Sequence, residues 1–153
     1  MGAITSTCLV AVEGISFAGK TELTHRLKAA GFLRLYELAE KFEHGRGFPP
    51  VPKTRKEAEA SDQWFLAEEI IRNRDAAAAV IAGDVVADRS FLSSIAHVVA
   101  RARVYGIDNR SDHANAVLAA LASGALVVPW FIYLRQDVSV FAARRRGALQ
   151  ARV

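Results

Sequence analysis

Between Gly14 and Thr21 the chain reads Gly-Ile-Ser-Phe-Ala-Gly-Lys-Thr, which fits the pattern G-x-x-x-x-G-K-[ST] of a phosphate-binding loop. The pattern has a physical basis. A polyphosphate is wrapped by backbone N–H groups, and the turns that aim those groups inward are blocked by side chains. Gly14 and Gly19 supply the turns, and Ile15, Ser16, Phe17 and Ala18 span the loop between them. Lys20 carries a cation for the terminal phosphates, and Thr21 a hydroxyl for Mg²⁺. The flanks agree. Residues 8–12 are a continuous apolar run, the signature of a strand buried on both faces. From Thr21 to Ala30 the pattern is helical, with Leu23, Leu27 and Ala30 on one side and Gly31 at its end. Phosphates held by the loop would sit on the positive N-terminus of that helix.

Three further groups carry chemistry. Asp88-Arg89 follows an apolar run. An acid there can support Mg²⁺ directly or through water, and the adjacent arginine can clamp a second phosphate. The plainer reading makes Asp88 or Ser90 the N-cap of the next helix. Glu37 follows a second apolar segment. Phosphoryl transfer to a hydroxyl needs a carboxylate within reach of it, which makes Glu37 the candidate base; alternatively it is a solvated charge opening a helix. Arg144, Arg145 and Arg146 form a cluster able to close over ATP and stabilise transferring charge, or else to pair with a helix C-terminus.

The elements that must position these groups alternate. Residues 32–36 read as a short second strand. Residues 44–56, with glycines, prolines and four basic residues, read as a mobile loop. A helical pattern covers 57–82, with a break near Ser61, anchored by Trp64, Phe65, Ile70 and Ile71. Residues 85–87 form a third strand and 91–105 a helix stopped by Gly106. Ser111 is the expected cap of a helix over 112–123. A fourth strand covers 126–134, with Pro129 as an irregularity, and a last helix covers 137–146. Strands alternating with helices predict a parallel α/β sheet with right-handed crossovers. The strand at 8–12 should lie between those at 84–87 and 127–134, with the second strand at the edge beyond the third. Gln63, Trp64 and Phe65 could line an acceptor pocket by stacking and hydrogen bonding, or simply fill the core.

The chain's 153 residues, 52% hydrophobic, suit one domain with its own core. Net charge is +4 and fifteen of the twenty basic residues are arginine. Arginine pairs bidentately with phosphate, although a GC-rich genome produces the same bias. No lysine or arginine block points to nucleic acid, and no apolar run is long enough for a membrane span. Cys8 is the single cysteine and reads as a small core residue. Residues 1–6 fit an N-myristoylation pattern, but the first strand begins almost at once.

Val12-Glu13-Gly14 with Ala18-Gly19-Lys20-Thr21, Asp88-Arg89-Ser90 followed by Ser94-Ile95-Ala96, and the segment from Leu134 to Gly147 together resemble the thymidylate kinase and deoxynucleoside kinase group of P-loop kinases. The resemblance implies a three-layer α/β fold with a central P-loop strand, and Mg-ATP as donor. It implies a nucleoside or nucleoside monophosphate as acceptor, Glu37 as base and Arg89 on acceptor-side phosphate. A lid at 135–153 would carry Arg144, Arg145 and Arg146. A cytoplasmic kinase that meets neither nucleic acid nor membrane is the expectation. The alternatives are a nicotinamide-riboside-kinase-like or other small P-loop ATPase, and a non-catalytic nucleotide-binding protein. Phe17 stands where the group often has glycine and is expected to crowd the loop. Leu38, not proline, follows Glu37. The triplet Asp88-Arg89-Ser90 mixes two branches. The group continues into another strand and helix, whereas this chain ends at Val153. The strand at 127–134 is therefore expected to be an exposed apolar edge, with weak activity and self-pairing into a homodimer.

Overall fold

The computed structural model describes residues 7–42 and 47–150, the side chains of 147–150 excepted. The acylation pattern at 1–6, part of the loop at 44–56 and the end of the expected lid lie outside the described residues. The elements run β1 (Leu9–Gly14), α1 (Lys20–Ala29), β2 (Leu33–Leu35), α2 (Leu38–Lys41), α3 (Arg55–Val80), β3 (Val85–Asp88), α4 (Phe91–Tyr105), α5 (Arg110–Ala122), β4 (Trp130–Leu134) and α6 (Val138–Gln150).

The four strands form one parallel sheet in the order β2-β3-β1-β4, the order expected from the sequence. Ala11, Val12, Val85 and Val86 are fully buried, which is why β1 and β3 read as unbroken apolar runs. Side chains alternate across the sheet. On one face Arg34 and Asp88 reach Thr24 of α1. On the other, Leu9, Ala11, Leu35 and Ala87 line a narrow crevice with Glu69, Arg72 and Ala76 of α3. Helices therefore cover both faces. Beyond α3, a core cluster of Leu66, Phe91, Val117, Ala120 and Leu126 joins α3, α4 and α5. Among the described residues no helix is long and apolar enough to cross a membrane.

Four elements differ from the sequence reading. Helix α3 runs unbroken through Ser61, which is buried. It starts earlier than expected because Thr54 caps it: its hydroxyl accepts from the Glu57 amide at 3.2 Å, and Glu57 Oε2 accepts from the Lys53 amide at 2.7 Å. Helix α5 starts after Asn109, not after Ser111. Residues 126–129 are not strand. Val127 exchanges two hydrogen bonds with the Asn73 side chain, and Pro129, which has no N–H to donate, precedes the first paired residue, Trp130. Cys8 lies just before β1, half-buried, its amide donating to Asp84 Oδ1 at 2.9 Å.

As expected, β4 is an edge strand, and an apolar one. Trp130 is 77% exposed and Tyr133 66%, with Val127, Val128, Phe131 and Ile132 also exposed. Its inner side is held tightly at one point. Gly14, at φ 143°, faces Leu134 across the β1–β4 pairing, and a Cβ at Gly14 would stand 2.6 Å from the Leu134 carbonyl oxygen. Gly14→Ala should therefore cost at least ~2 kcal/mol, from a backbone region L residues avoid and from overpacking. A chemical denaturation curve measures it, and wild-type stability in the variant would contradict this account of the β1–β4 contact.

Candidate active site

The loop between β1 and α1 turns at Gly14 and closes at Gly19, whose φ of 92° makes it the left-handed N-cap of α1. Lys20 is 5% exposed and its Nζ donates to the Ile15 carbonyl at 2.8 Å, folding the side chain over the loop. Burial lowers its pKa, and the nearby Arg89 guanidinium lowers it further, against the pull of Glu37, Asp88 and Glu13. Phe17 does not crowd the loop. It takes the left-handed conformation at φ 62° that glycine would favour, and its ring packs against Phe141 of α6 at 6.2 Å. The Phe17 carbonyl accepts from Arg144 Nη1 at 2.8 Å. The Gln136 amide, oriented so that both its ends are satisfied, donates to the same carbonyl at 3.2 Å and accepts from Arg144 at 3.0 Å. Of the three clustered arginines, Arg144 alone reaches the loop. Arg145 and Arg146 are exposed and make no hydrogen bond or ion pair among the described residues.

Asp88, at the C-terminal end of β3, is fully buried. Its Oδ2 accepts from Thr21 Oγ1 at 2.9 Å and from Arg34 Nη2 at 3.2 Å, with Thr24 Oγ1 at the 3.5 Å limit. Its Oδ1 is buried and has no partner among the described residues. Asp88 does not cap α4. Ser90 does, accepting from the Leu92 amide at 3.2 Å. Arg34, which the sequence reading passed over, is the partner that lets the carboxylate be buried. Its guanidinium also donates to Thr24 Oγ1 at 2.8 Å and Glu40 Oε1 at 3.1 Å, and lies 4.6 Å from the Tyr36 ring centre.

Two more residues set the turn after β3: Arg72, which the sequence reading missed, and Glu13. Arg72 of α3 donates to the carbonyls of Asp88 and Arg89 at 3.0 and 2.7 Å and to Glu69 at 2.6 Å. Glu13, expected only as part of the loop's entrance, accepts from the Ser90 amide at 2.7 Å and from the hydroxyls of Ser90 and Ser93 at 2.6 and 2.9 Å. The available signal was a charged residue inside an otherwise apolar strand, since such a group must find partners when buried.

Arg89 and Glu37 meet in the lining of a cavity. Arg89 Nε lies 2.5 Å from Glu37 Oε1, an ion pair by distance. The N–H does not align as a hydrogen bond, so the attraction is chiefly one of charge. The cavity, about 560 Å³, runs between α3 and α4 and under residues 48–52, a size ordinary for a small-molecule site. Phe65 lines it, as the sequence suggested; Trp64 instead packs among Phe42, Phe48 and Phe65, and Gln63 is exposed. Deeper in the cavity, Arg101 forks onto the Asp62 carboxylate, and Asn109 bridges the two, accepting from Arg101 at 2.8 Å and donating to Asp62 at 2.7 Å. His97 also lines it.

Burial holds the His97 pKa below the ordinary histidine value, and the Arg89 guanidinium pushes the same way. A group with a depressed folded pKa contributes stability above its unfolded pKa and loses it as pH falls through the folded one. Acidification below about pH 6.5 should therefore destabilise the protein through His97. Thermal melting of wild type and His97→Gln between pH 7.5 and 5 should show the variant losing less. Parallel curves would remove His97 from the pH response.

No protein-family model matches the sequence, and no curated protein matches it. Solved structures do. One is a deoxyadenosine kinase from M. mycoides with bound dATP, similar at a TM-score of 0.53 and 15% identity over 90% of this chain and 70% of that one. At that identity the likeness is one of fold, and with the parallel sheet and loop described above it makes this an α/β P-loop kinase-type fold.

Proposed function

We propose that the protein is a P-loop phosphotransferase that carries the γ-phosphoryl group of Mg-ATP to a hydroxyl of a nucleoside or nucleoside monophosphate. One observation carries the reading. Lys20, Thr21 and the bare Asp88 Oδ1 gather at the C-terminal edge of one parallel sheet, and the Glu37–Arg89 pair beside Lys20 lines a cavity of small-molecule size. The fold likeness to a deoxyadenosine kinase solved with dATP supports it.

Gly14 to Thr21 would cradle the phosphates with backbone N–H groups, and Lys20 would leave the Ile15 carbonyl for a terminal phosphate. The donor set fits a magnesium ion: the Thr21 hydroxyl and the unpartnered Asp88 Oδ1 are hard oxygen ligands. Among the described residues no group of three or more His, Cys, Asp or Glu side chains could hold a metal unaided, so the ion would be shared with the nucleotide. When bound it neutralises charge on the β- and γ-phosphates.

Glu37 takes the proton of the acceptor hydroxyl. As that oxygen bonds to the γ-phosphorus, the bond from the γ-phosphorus to the β–γ bridging oxygen breaks and ADP leaves. Arg89 orients Glu37 and faces the transferring group. Arg144 is positioned on the loop itself, and with Arg145 and Arg146 on α6 it would form the lid.

Incubation with Mg-ATP and a panel of nucleosides and monophosphates tests the reading. Lys20→Ala should fold and lose ATP binding and turnover; undiminished affinity would exclude phosphate binding by this loop. Glu37→Gln should retain ATP binding while kcat drops roughly 10²–10⁴-fold. Unchanged kcat would move the base to another residue.

A further inference from the structure

Six charged side chains line the cavity: Glu37, Asp62, Glu69, Arg72, Arg89 and Arg101. They form three pairs. Arg89 is matched with Glu37, Arg72 with Glu69 and Arg101 with Asp62. Each of the three arginines thus has a carboxyl partner of its own. His97, the remaining titratable ring on α4 that faces the cavity, is pushed toward its neutral form by burial and by Arg89.

The guanidinium groups are also committed in hydrogen bonds. Arg72 spends Nη2 on two backbone carbonyls and Nη1 on Glu69. Arg101 spends both terminal nitrogens on Asp62 and Asn109. Nε of Arg72, Arg89 and Arg101 is sealed from solvent, and Arg89, ion-paired to Glu37, adds only a 3.3 Å hydrogen bond from Nη1 to Ser93 Oγ. Among the described residues, a phosphate dianion entering the cavity would meet no cation that lacks a carboxylate partner. A free guanidinium fork is a strong phosphate binder, and an anion desolvated without a partner is strongly disfavoured.

The cavity is also longer than a phosphate site needs. Asp62 and Arg72 lie ten residues apart on α3, roughly 15 Å along a helix at 1.5 Å per residue. Arg89 precedes α4 and Arg101 lies within it, so the two polar ends of the cavity are separated similarly along both helices. Phe65 and Tyr105 add aromatic surface to its lining. A ligand with a hydroxyl at the Glu37–Arg89 end, a flat or apolar body, and polar edges toward Asp62 and Arg101 matches this layout.

We infer that the acceptor is an uncharged hydroxyl compound of nucleoside size and not a nucleoside monophosphate, because every cation that lines the acceptor cavity among the described residues already has its own carboxylate. The inference rests on the phosphotransferase reading and narrows its acceptor.

The test uses the full chain. A fluorescent ATP analogue measures the donor site, and titration calorimetry without ATP measures nucleosides against their own 5′-monophosphates. Nucleosides should bind at least about tenfold more tightly than the matching monophosphates. Loss of ATP-analogue binding would remove the parent reading. With ATP binding intact, monophosphates binding as well as nucleosides, or neither class binding, overturns the neutral acceptor alone. Asp62→Asn frees the charge of Arg101, and the monophosphate-to-nucleoside affinity ratio should rise several-fold; a folded variant with an unmoved ratio counts against the inference. If a melting curve shows Asp62→Asn unfolded, Glu69→Gln, which frees Arg72, is read in the same way.

Discussion

The buried carboxylate of Asp88 is the constraint around which the site is arranged. A carboxylate side chain at zero exposure is tolerated only with a charge partner and hydrogen bonds. Arg34 supplies the charge from the neighbouring strand, and Thr21 supplies a hydroxyl from the first turn of α1. Removing one member of such a pair typically costs about 3–5 kcal/mol. The same contacts fix geometry. They tie β2, β3 and the first turn of α1 together at the point where the phosphate loop ends. They also load one carboxylate oxygen with donors and leave the other bare. Arg34 thus acts on the site through Asp88, without touching the loop.

A second constraint sits one residue later. Arg89 is held at φ 69°, a conformation that costs a non-glycine residue on the order of 1–3 kcal/mol. Arg72 bridges the carbonyls on either side of that turn, and Glu13 gathers the Ser90 amide and two serine hydroxyls beneath it. These charge-assisted bonds are stronger than neutral ones and offset the strain. The turn ends β3, starts α4 at its Ser90 cap, and sends the Arg89 side chain to Glu37. Strain, cap and ion pair are therefore one local solution.

The strand order and the loop were legible because both depend on local pattern. Glycine spacing marks the loop, and continuous apolar runs mark strands buried on both faces. Arg34, Arg72 and the Asp62–Arg101–Asn109 set were not legible, because their partners are distant in sequence. Arg72 serves carbonyls 16 and 17 residues away and Asp62 meets Asn109 across 47. Asn109 also shows why the start of α5 was misplaced. Its side chain makes no cap hydrogen bond and is spent on the cavity network, so local capping rules favoured Ser111. In the same way the Thr54–Glu57–Lys53 cap of α3 carries a recognisable spacing but lies in a proline-rich stretch that reads as loop. Arg144 fell between these cases: the cluster was visible in sequence, but only α6 geometry separates it from Arg145 and Arg146.

The link between α6 and the loop gives Phe17 a role that glycine at that position lacks. A phenylalanine at φ 62° sacrifices backbone ease, yet its ring joins Phe141 and its carbonyl takes Arg144 and Gln136. These contacts anchor the segment after β4 directly to the tip of the phosphate loop, while Gly14 locks the loop's first turn against Leu134 on the same strand. The loop is therefore braced from β4 and α6 on one side and from Asp88 on the other. Helix α6 thus meets the loop through a carbonyl and an aromatic contact, without crossing the sheet. That contact places Arg144 one hydrogen bond from the loop.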